Sequence, residues 1–199
     1  MLFKAAANLE HFNINIGQWD TARATNMERL FENAISFNQD LSNWDVAAVY
    51  SFDKMFKNAT SFDQDISSWS TGSVERIDEI FMNASSFSFS LDGWDVSRIT
   101  VFDRVFDGAK KFNGRLNTWN TVNAITMEAM FRNAESFSQD LNLWLVNKVT
   151  NMAEMFHGAA SFNNNIGTWR PVECTNMTSM FEGRSCFLLL PLYIFSIIL

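Results

Sequence analysis

The sequence predicts an α/β solenoid of about seven 25-residue coils, each with one short helix and one short parallel strand. Three observations predict it. All seven tryptophans lie 25 residues apart, and two series of seven phenylalanines repeat at the same interval. No insertion or deletion interrupts the period between Phe12 and Phe181. Such strict periodicity is typical of arrays in which each unit adds the same increment of backbone.

The helix is predicted first, in the unit that starts at Asn26. Met27, Leu30, Phe31 and Ala34 are apolar at i, i+3, i+4 and i+7, which is one face of a helix. One phenylalanine series runs through Phe31 and Phe56, and only Asn or Gly occurs two residues after each of its members, as at Asn33. These residue types tolerate a left-handed backbone, so we expect a helix C-terminal cap at that position in every coil.

The strand is predicted next, after a polar loop. Leu41-x-x-Trp44-x-Val46 has the spacing of a leucine-rich-repeat strand with Trp in its middle position. Trp44 and Val46 are two residues apart and would point to the same side of a strand. Strands of neighbouring coils would then stack in parallel.

The repeated aromatic rings have two interpretations, a packed core or a stacking surface for a sugar or cofactor. We favour the core, because a thin coil needs large side chains to fill it and stacked rings fit when every coil repeats them. Replacing Trp44 or Phe56 by Ala should then cost about 3–5 kcal/mol. The predicted core residues are Trp19, Trp44, Trp69, Trp94, Trp119, Trp144, Trp169, Phe31, Phe56, Phe81, Phe106, Phe131, Phe156, Phe37, Phe62, Phe87, Phe112, Phe137 and Phe162.

Ligand recognition is predicted at the positions that vary from coil to coil, just after each tryptophan. These strand-side residues would line one extended face, the usual binding surface of a solenoid. They share no uniform charge or aromatic character, so no ligand class follows from them. The candidates are Asp45, Ala47, Tyr50, Ser70, Ser73, Glu75, Asp95, Ser97, Arg98, Asn147 and Lys148.

Composition argues against several other functions. A net charge of -7 argues against a nucleic-acid binder. The two histidines and two cysteines provide little for a zinc site, a catalytic cluster or a disulfide scaffold, and we expect no enzyme, cofactor or metal. Asp40 and its counterparts one and four coils later could be calcium ligands, but we favour hydrogen bonding within the loops. Cys174 takes the place of core valines and reads as a small core residue.

Charged residues on the predicted helix are mixed in sign. We expect them to form a solvated outer surface. They include Asp53, Lys54, Lys57, Asp103, Arg104 and Asp107.

The repeat resembles the BspA-like family, whose units of 25–26 residues occur in bacterial, mycoplasmal and protist surface proteins. The resemblance is carried by the Thr-Asn-Met-x-x-Met-Phe-x-Gly-Ala-x-x-Phe-Asn run of 150–163 and by the Phe-Asn-Gln-Asp-Leu-Ser-x-Trp-Asp-Val run of 37–46. It implies a leucine-rich-repeat-like solenoid in secreted or surface-anchored proteins that act in adhesion or cell contact, with no catalytic residues.

We divide the chain into a single repeat solenoid over residues 1–187 and an apolar tail over 188–199. The coils are taken as 1–25, 26–50, 51–75, 76–100, 101–125, 126–150 and 151–175, with a partial coil over 176–187. No signal peptide is visible. The tail is shorter than a membrane-spanning helix and contains Pro191, so three interpretations stay open: a misread gene end, a cover for the last coil, or a shallow anchor.

Together these observations predict a non-enzymatic protein-recognition or adhesion module of a cell-surface or secreted repeat protein. Its partner would be a protein or cell-surface ligand, not a nucleic acid, with membrane contact only through the tail. Two alternatives remain: carbohydrate or matrix binding along the strand face, and a structural spacer or fragment without independent activity.

Overall fold

The structure is a computed structural model that describes residues 9–183. Within that range the chain forms a stack of 25-residue coils built from β-turns, with no helix and no strand longer than one residue. The prediction of one helix and one strand per coil was therefore wrong. The apolar tail over 188–199 lies outside the described residues.

Hydrogen bonding explains why the predicted helix does not form. In the unit starting at Asn26, the N–H groups of residues 30, 32 and 34 donate to carbonyls three residues earlier, which closes successive turns. The intervening N–H groups of 27, 29, 31 and 33 donate instead to residues 51, 53, 55 and 57 of the next coil, at 2.8–3.0 Å. Because neighbouring coils take every second donor, no i→i−4 ladder is possible. Consecutive turns produce the same apolar spacing as a helix.

Left-handed backbone occurs twice in each of these segments. Asn33 has φ of 64°, and the equivalent Asn and Gly residues of later coils share this conformation. The Asn/Gly signal thus marks a turn centre and not a helix cap. Four residues earlier, Arg29 has φ of 58° although the sequence gives no such signal there, since Lys, Glu, Arg, Ala and Ser take that place in other coils.

The predicted strand is also a pair of turns. Trp44 N–H donates to the Leu41 carbonyl at 3.0 Å, and Val49 N–H donates to the Val46 carbonyl at 2.9 Å. The Leu-x-x-Trp spacing is therefore the i, i+3 spacing of a turn. Parallel pairing is reduced to single-residue bridges at the start of each coil. The bridges are Asn26–Ser51, Ser51–Arg76, Val101–Thr126, Thr126–Asn151 and Asn151–Asn176.

Aromatic columns run along the stack and form its core. Within one coil the Phe31 and Phe37 rings stack with centroids 4.0 Å apart, and Phe31 stacks on Phe56 of the next coil at 5.5 Å. Trp69 and Trp94 stack at 6.2 Å with an interplanar angle of 6°. Such offset stacking adds about 0.5–1.5 kcal/mol per pair to the burial of the rings.

Each buried tryptophan also ties its coil to the preceding one. The Trp94 indole N–H donates to the carbonyl of Ile66 at 3.0 Å, and the same bond recurs from Trp44 to Trp169 at 2.9–3.1 Å. The buried ring thereby satisfies its one polar group with a backbone carbonyl of the preceding coil. This bond explains why tryptophan, rather than another large apolar residue, recurs at the position.

Burial of the predicted core residues is nearly uniform. All are buried except Trp19, which is 38% exposed. Trp19 belongs to the first described coil, and only one neighbouring described coil lies against it.

Candidate recognition face

The proposed recognition residues lie at the tips of a row of turns, one turn per coil. In the coil 26–50, the turn closed by Val46 and Val49 presents Ala47 to solvent, and both valines are buried. The Asp45 carboxylate accepts a hydrogen bond from Ala47 N–H at 3.0 Å and fixes the turn. The face is thus made of turn residues held by hydrogen bonds, and not of strand residues as the sequence predicts.

Most of the candidate residues are accessible. Asp45, Ala47, Tyr50, Ser70, Glu75, Asp95, Arg98, Asn147 and Lys148 are exposed, and Ser73 and Ser97 are half-buried. Adjacent coils bring them into one row, because residues 25 positions apart are neighbours. Arg98 forms an ion pair with Glu75, and Asn26 Nδ2 donates to the Tyr50 hydroxyl at 2.9 Å.

Hydrogen bonds order the polar groups on this face. Asp95 accepts a hydrogen bond from Ser97 N–H at 2.9 Å, and hydrogen bonds from Ser97 hold the pKa of the Asp95 carboxyl below its ordinary value. Lys148 Nζ donates to Asn123 Oδ1 at 3.2 Å. Polar groups of this face are therefore held in place by hydrogen bonds within and between coils.

Exposed apolar residues are concentrated in the coil 126–150 and its two neighbours, and in the sequence Leu143 and Leu145 already stand out because they flank Trp144. Leu143 is 71% exposed and Leu145 is 50% exposed, while Val122 and Val172 occupy one register in the preceding and following coils and are 38% and 76% exposed. We call these four residues the apolar patch. Thr121 of the preceding coil fixes the backbone at Leu145, since its Oγ accepts from Leu145 N–H at 2.8 Å. The two valines are recognised as part of the patch only when residues 25 positions apart are compared.

The acidic and amide side chains of the polar loops accept hydrogen bonds from N–H groups of their own loops. Asp40 accepts a hydrogen bond from Ser42 N–H at 2.8 Å, and Asp65, Asp140, Asn15 and Asn165 accept from the N–H two residues on in the same way. These bonds to Ser42 lower the pKa of Asp40. Within residues 9–183, no group of three or more His, Cys, Asp or Glu side chains is arranged to hold a metal ion.

The mixed charges in the segment predicted to be a helix do not form the solvated surface that we expected. Asp53 and Asp107 are each only 3% exposed. Arg132 of the next coil bonds Asp107 at 2.6 Å and Glu154 of the coil beyond at 2.7 Å. Because residues 25 apart are neighbours, charges that look isolated in sequence form ion pairs between coils.

Cys174 is half-buried against the core, and burial raises the pKa of its thiol. The described residues include no helix with the length and apolar character needed to cross a bilayer.

These features define a repeat protein with an invariant aromatic core and a variable, exposed row of turn tips. A family model described as a Mycoplasma protein of unknown function, DUF285, matches residues 1–99 and again residues 88–188. The chain belongs to this family.

Two further comparisons add little. No curated protein matches the sequence. Among solved structures, an internalin from Listeria monocytogenes is similar with 11% sequence identity and a TM-score of 0.28. The match covers 84% of this chain and 60% of the internalin chain, so this protein spans less than two thirds of that neighbour. A TM-score this low supports no argument about fold or function.

Proposed function

We propose that the chain is a non-enzymatic module that recognises a protein ligand through its row of turn tips, as part of a cell-surface or secreted repeat protein. The proposal includes kinship with the BspA-like surface repeats, supported by the sequence run over 150–163. Membership of a Mycoplasma family of unknown function agrees with this proposal and names no ligand.

The contrast between the core and the turn tips supports the proposal. At the core positions the same ring recurs in every coil, whereas the position of Asp45 holds Ser, Asp, Asn, Leu and Arg in the following coils. A rigid core that displays variable, exposed side chains at fixed spacing is the arrangement that extended binding surfaces of repeat proteins use.

The apolar patch favours a protein ligand over a sugar. Scattered exposed apolar residues need no explanation, but Leu143, Leu145, Val122 and Val172 are exposed in three consecutive coils. The core of a protein interface is depleted of charge and rich in apolar side chains. Carbohydrate or matrix binding along the polar part of the row is the second candidate, supported by its fixed acceptors such as Asp95. A structural spacer is the third.

The test uses the full chain, labelled with a fluorophore, on cultured epithelial cells and on a glycan array. We expect saturable, protease-sensitive binding to cells that falls at least tenfold in the double variant Leu143→Thr, Leu145→Asp. These substitutions install residues that the repeat itself carries at the two positions in other coils.

The matched control is Lys110→Thr with Glu135→Thr. It removes an exposed ion pair of 2.9 Å outside the proposed face, and Thr60 occupies the same register. Equal loss of binding in both double variants would contradict recognition by this face. Binding to glycans alone would favour the second candidate, and binding to neither surface would favour the spacer.

A further inference from the structure

The stack has one irregular junction, between the coils 76–100 and 101–125. Elsewhere among the described coils, the first residues of a coil are bonded to the next coil in a constant pattern. Phe52 N–H donates to the Arg76 carbonyl and Phe102 N–H to the Thr126 carbonyl, both at 2.9 Å. In the described structure the equivalent bond from Ile77 to Val101 is missing.

Two other contacts fail at the same junction. Glu75 N–H donates to the Tyr50 carbonyl at 2.9 Å and Ile125 N–H to the Thr100 carbonyl at 2.8 Å, but no such bond joins Thr100 to Glu75 in the part of the chain described. The parallel bridges likewise skip the pair Arg76 and Val101. The ladder resumes at Glu79, whose N–H donates to the Asp103 carbonyl at 3.0 Å.

The two coils that meet at this gap also begin with residues of a different type. In four other coils a side-chain oxygen at the first position accepts the N–H two residues on, as Asn26 does for Glu28 at 2.7 Å and Asn151 for Ala153 at 3.0 Å. In the coil that starts at Thr126, the Asp103 carboxylate accepts this N–H instead. Arg76 and Val101 have no acceptor oxygen in their side chains. Two consecutive coils therefore lack this local brace, and we call their junction the seam.

A column of acids crosses the seam. Asp53, Asp78 and Asp103 occupy the same register in three consecutive coils. Asp53 Oδ1 accepts from Asp78 N–H at 3.1 Å, and Asp103 Oδ1 accepts from Glu128 N–H at 2.9 Å and from the Thr126 hydroxyl at 2.7 Å. Asp78 Oδ1, at the seam itself, is buried and has no hydrogen-bond partner.

The cations nearby do not neutralise Asp78. Arg76 forms its ion pair with Asp53 Oδ2. Lys54 and Lys57 pair with Glu79, at 3.5 Å and 2.5 Å, and Arg104 pairs with Glu128. The groups that act on Asp78 are thus Asp53 from the preceding coil, Asp103 from the following coil, and Arg76 and Glu79 from its own. Three of these four are acids.

From this geometry we propose that Asp78 carries a proton in the folded stack and that loss of the proton weakens the seam, which makes the junction a pH-sensitive break in the array. A buried carboxylate between two like charges, with an unbonded oxygen, is destabilised relative to the neutral acid. Desolvation by burial, together with the charges of Asp53 and Asp103, raises the pKa of Asp78 to about 7.

The direction of the effect follows from linkage. The folded-state pKa of Asp78 is raised from 3.8 to about 7, so the folded chain binds more protons than the unfolded chain in that interval. The stability that protonated Asp78 contributes is therefore fully present below about pH 4 and is lost as pH rises through about 7. Burial also raises the pKa values of Asp53 and Asp103, which act in the same direction.

Hydrogen exchange of the full chain tests the proposal, comparing wild type with Asp78→Asn at the same pH so that intrinsic exchange rates cancel. At pH 8 we expect the amides of 77–82 and 101–107 to exchange at least threefold faster in wild type than in the variant. At pH 3.5, below the unfolded-state pKa of Asp78, the two should agree. Amides of 127–133, away from the seam, should not differ at either pH.

Asp65→Asn is the control, since Asp65 is exposed and Asn fills its register in the coils of Asn15 and Asn165. This control should match wild type at both pH values. No difference between wild type and Asp78→Asn at pH 8 would overturn the proposal, as would a difference of equal size throughout the chain. If the variant does not fold, carboxyl ¹³C titration of the wild-type chain decides: an Asp midpoint above 6 supports the proposal, and midpoints all below 5 refute it.

Discussion

Removal of one ring from the middle of an aromatic column gives the sharpest test of the core. Phe56 is fully buried, and its ring centroid lies 4.0 Å from that of Phe62, 5.5 Å from Phe31 and 5.6 Å from Phe81. Phe56→Ala removes all three stacking contacts and leaves a cavity. The expected loss is about 3–5 kcal/mol in the free energy of unfolding.

Phe56→Leu separates the stacking of the ring from its volume. Leucine fills much of the space, so the loss should fall to about 1–2 kcal/mol, of which stacking contributes about 0.5–1.5 kcal/mol per pair. Both variants should be measured by urea unfolding followed by far-ultraviolet circular dichroism and by tryptophan fluorescence.

The control is a substitution on the surface of the same coil. Ser61 is exposed, and Ser61→Ala should change the free energy of unfolding by less than about 0.5 kcal/mol. If Phe56→Ala costs no more than the control, the column does not stabilise the stack and the core assignment fails. If Phe56→Leu costs as much as Phe56→Ala, ring stacking and not volume dominates.

Three other predictions concern single contacts and pH. Gly108 has φ of 70° and faces the Asn83 amide, so Gly108→Ala should lower the urea midpoint. Gly108→Asn should restore the midpoint, because it continues the side-chain ladder in which Asn58 Nδ2 donates to Asn33 Oδ1 at 2.7 Å. Arg132→Met leaves buried Asp107 without its cation and should cost about 3 kcal/mol in thermal or urea unfolding, and Asp107→Asn in the same chain should recover most of it. The urea midpoint should be highest at about pH 4 and should decrease toward pH 7: the lowered pKa of Asp40 makes its contribution disappear as pH falls through the acid range, and the raised pKa of Asp78, about 7, makes its contribution disappear as pH rises. A midpoint that climbs steadily from pH 5 to 8 would contradict the last prediction.

Only part of the candidate face could be predicted from the sequence. The variation at Asp45 and its equivalents marks these positions as candidates for recognition, and their side chains are exposed. Leu143 and Leu145 stand out in the sequence, but Val122 and Val172 do not, because they lie 50 residues apart and meet the Leu145 coil only through stacking. Likewise the burial of Asp53 depends on coils before and after it, which no local pattern encodes.

The sequence by itself determined the period, the identity of the core rings and the left-handed positions such as Asn33, because each of these is a property repeated at one interval. Tertiary structure decided the backbone. The apolar spacing of Met27 and Phe31 fits a helix and a series of turns equally well, and the donors of both residues go to the next coil. A helix keeps its hydrogen bonds within one segment, whereas a stack shares them between coils, and only the neighbouring coils select between these two arrangements.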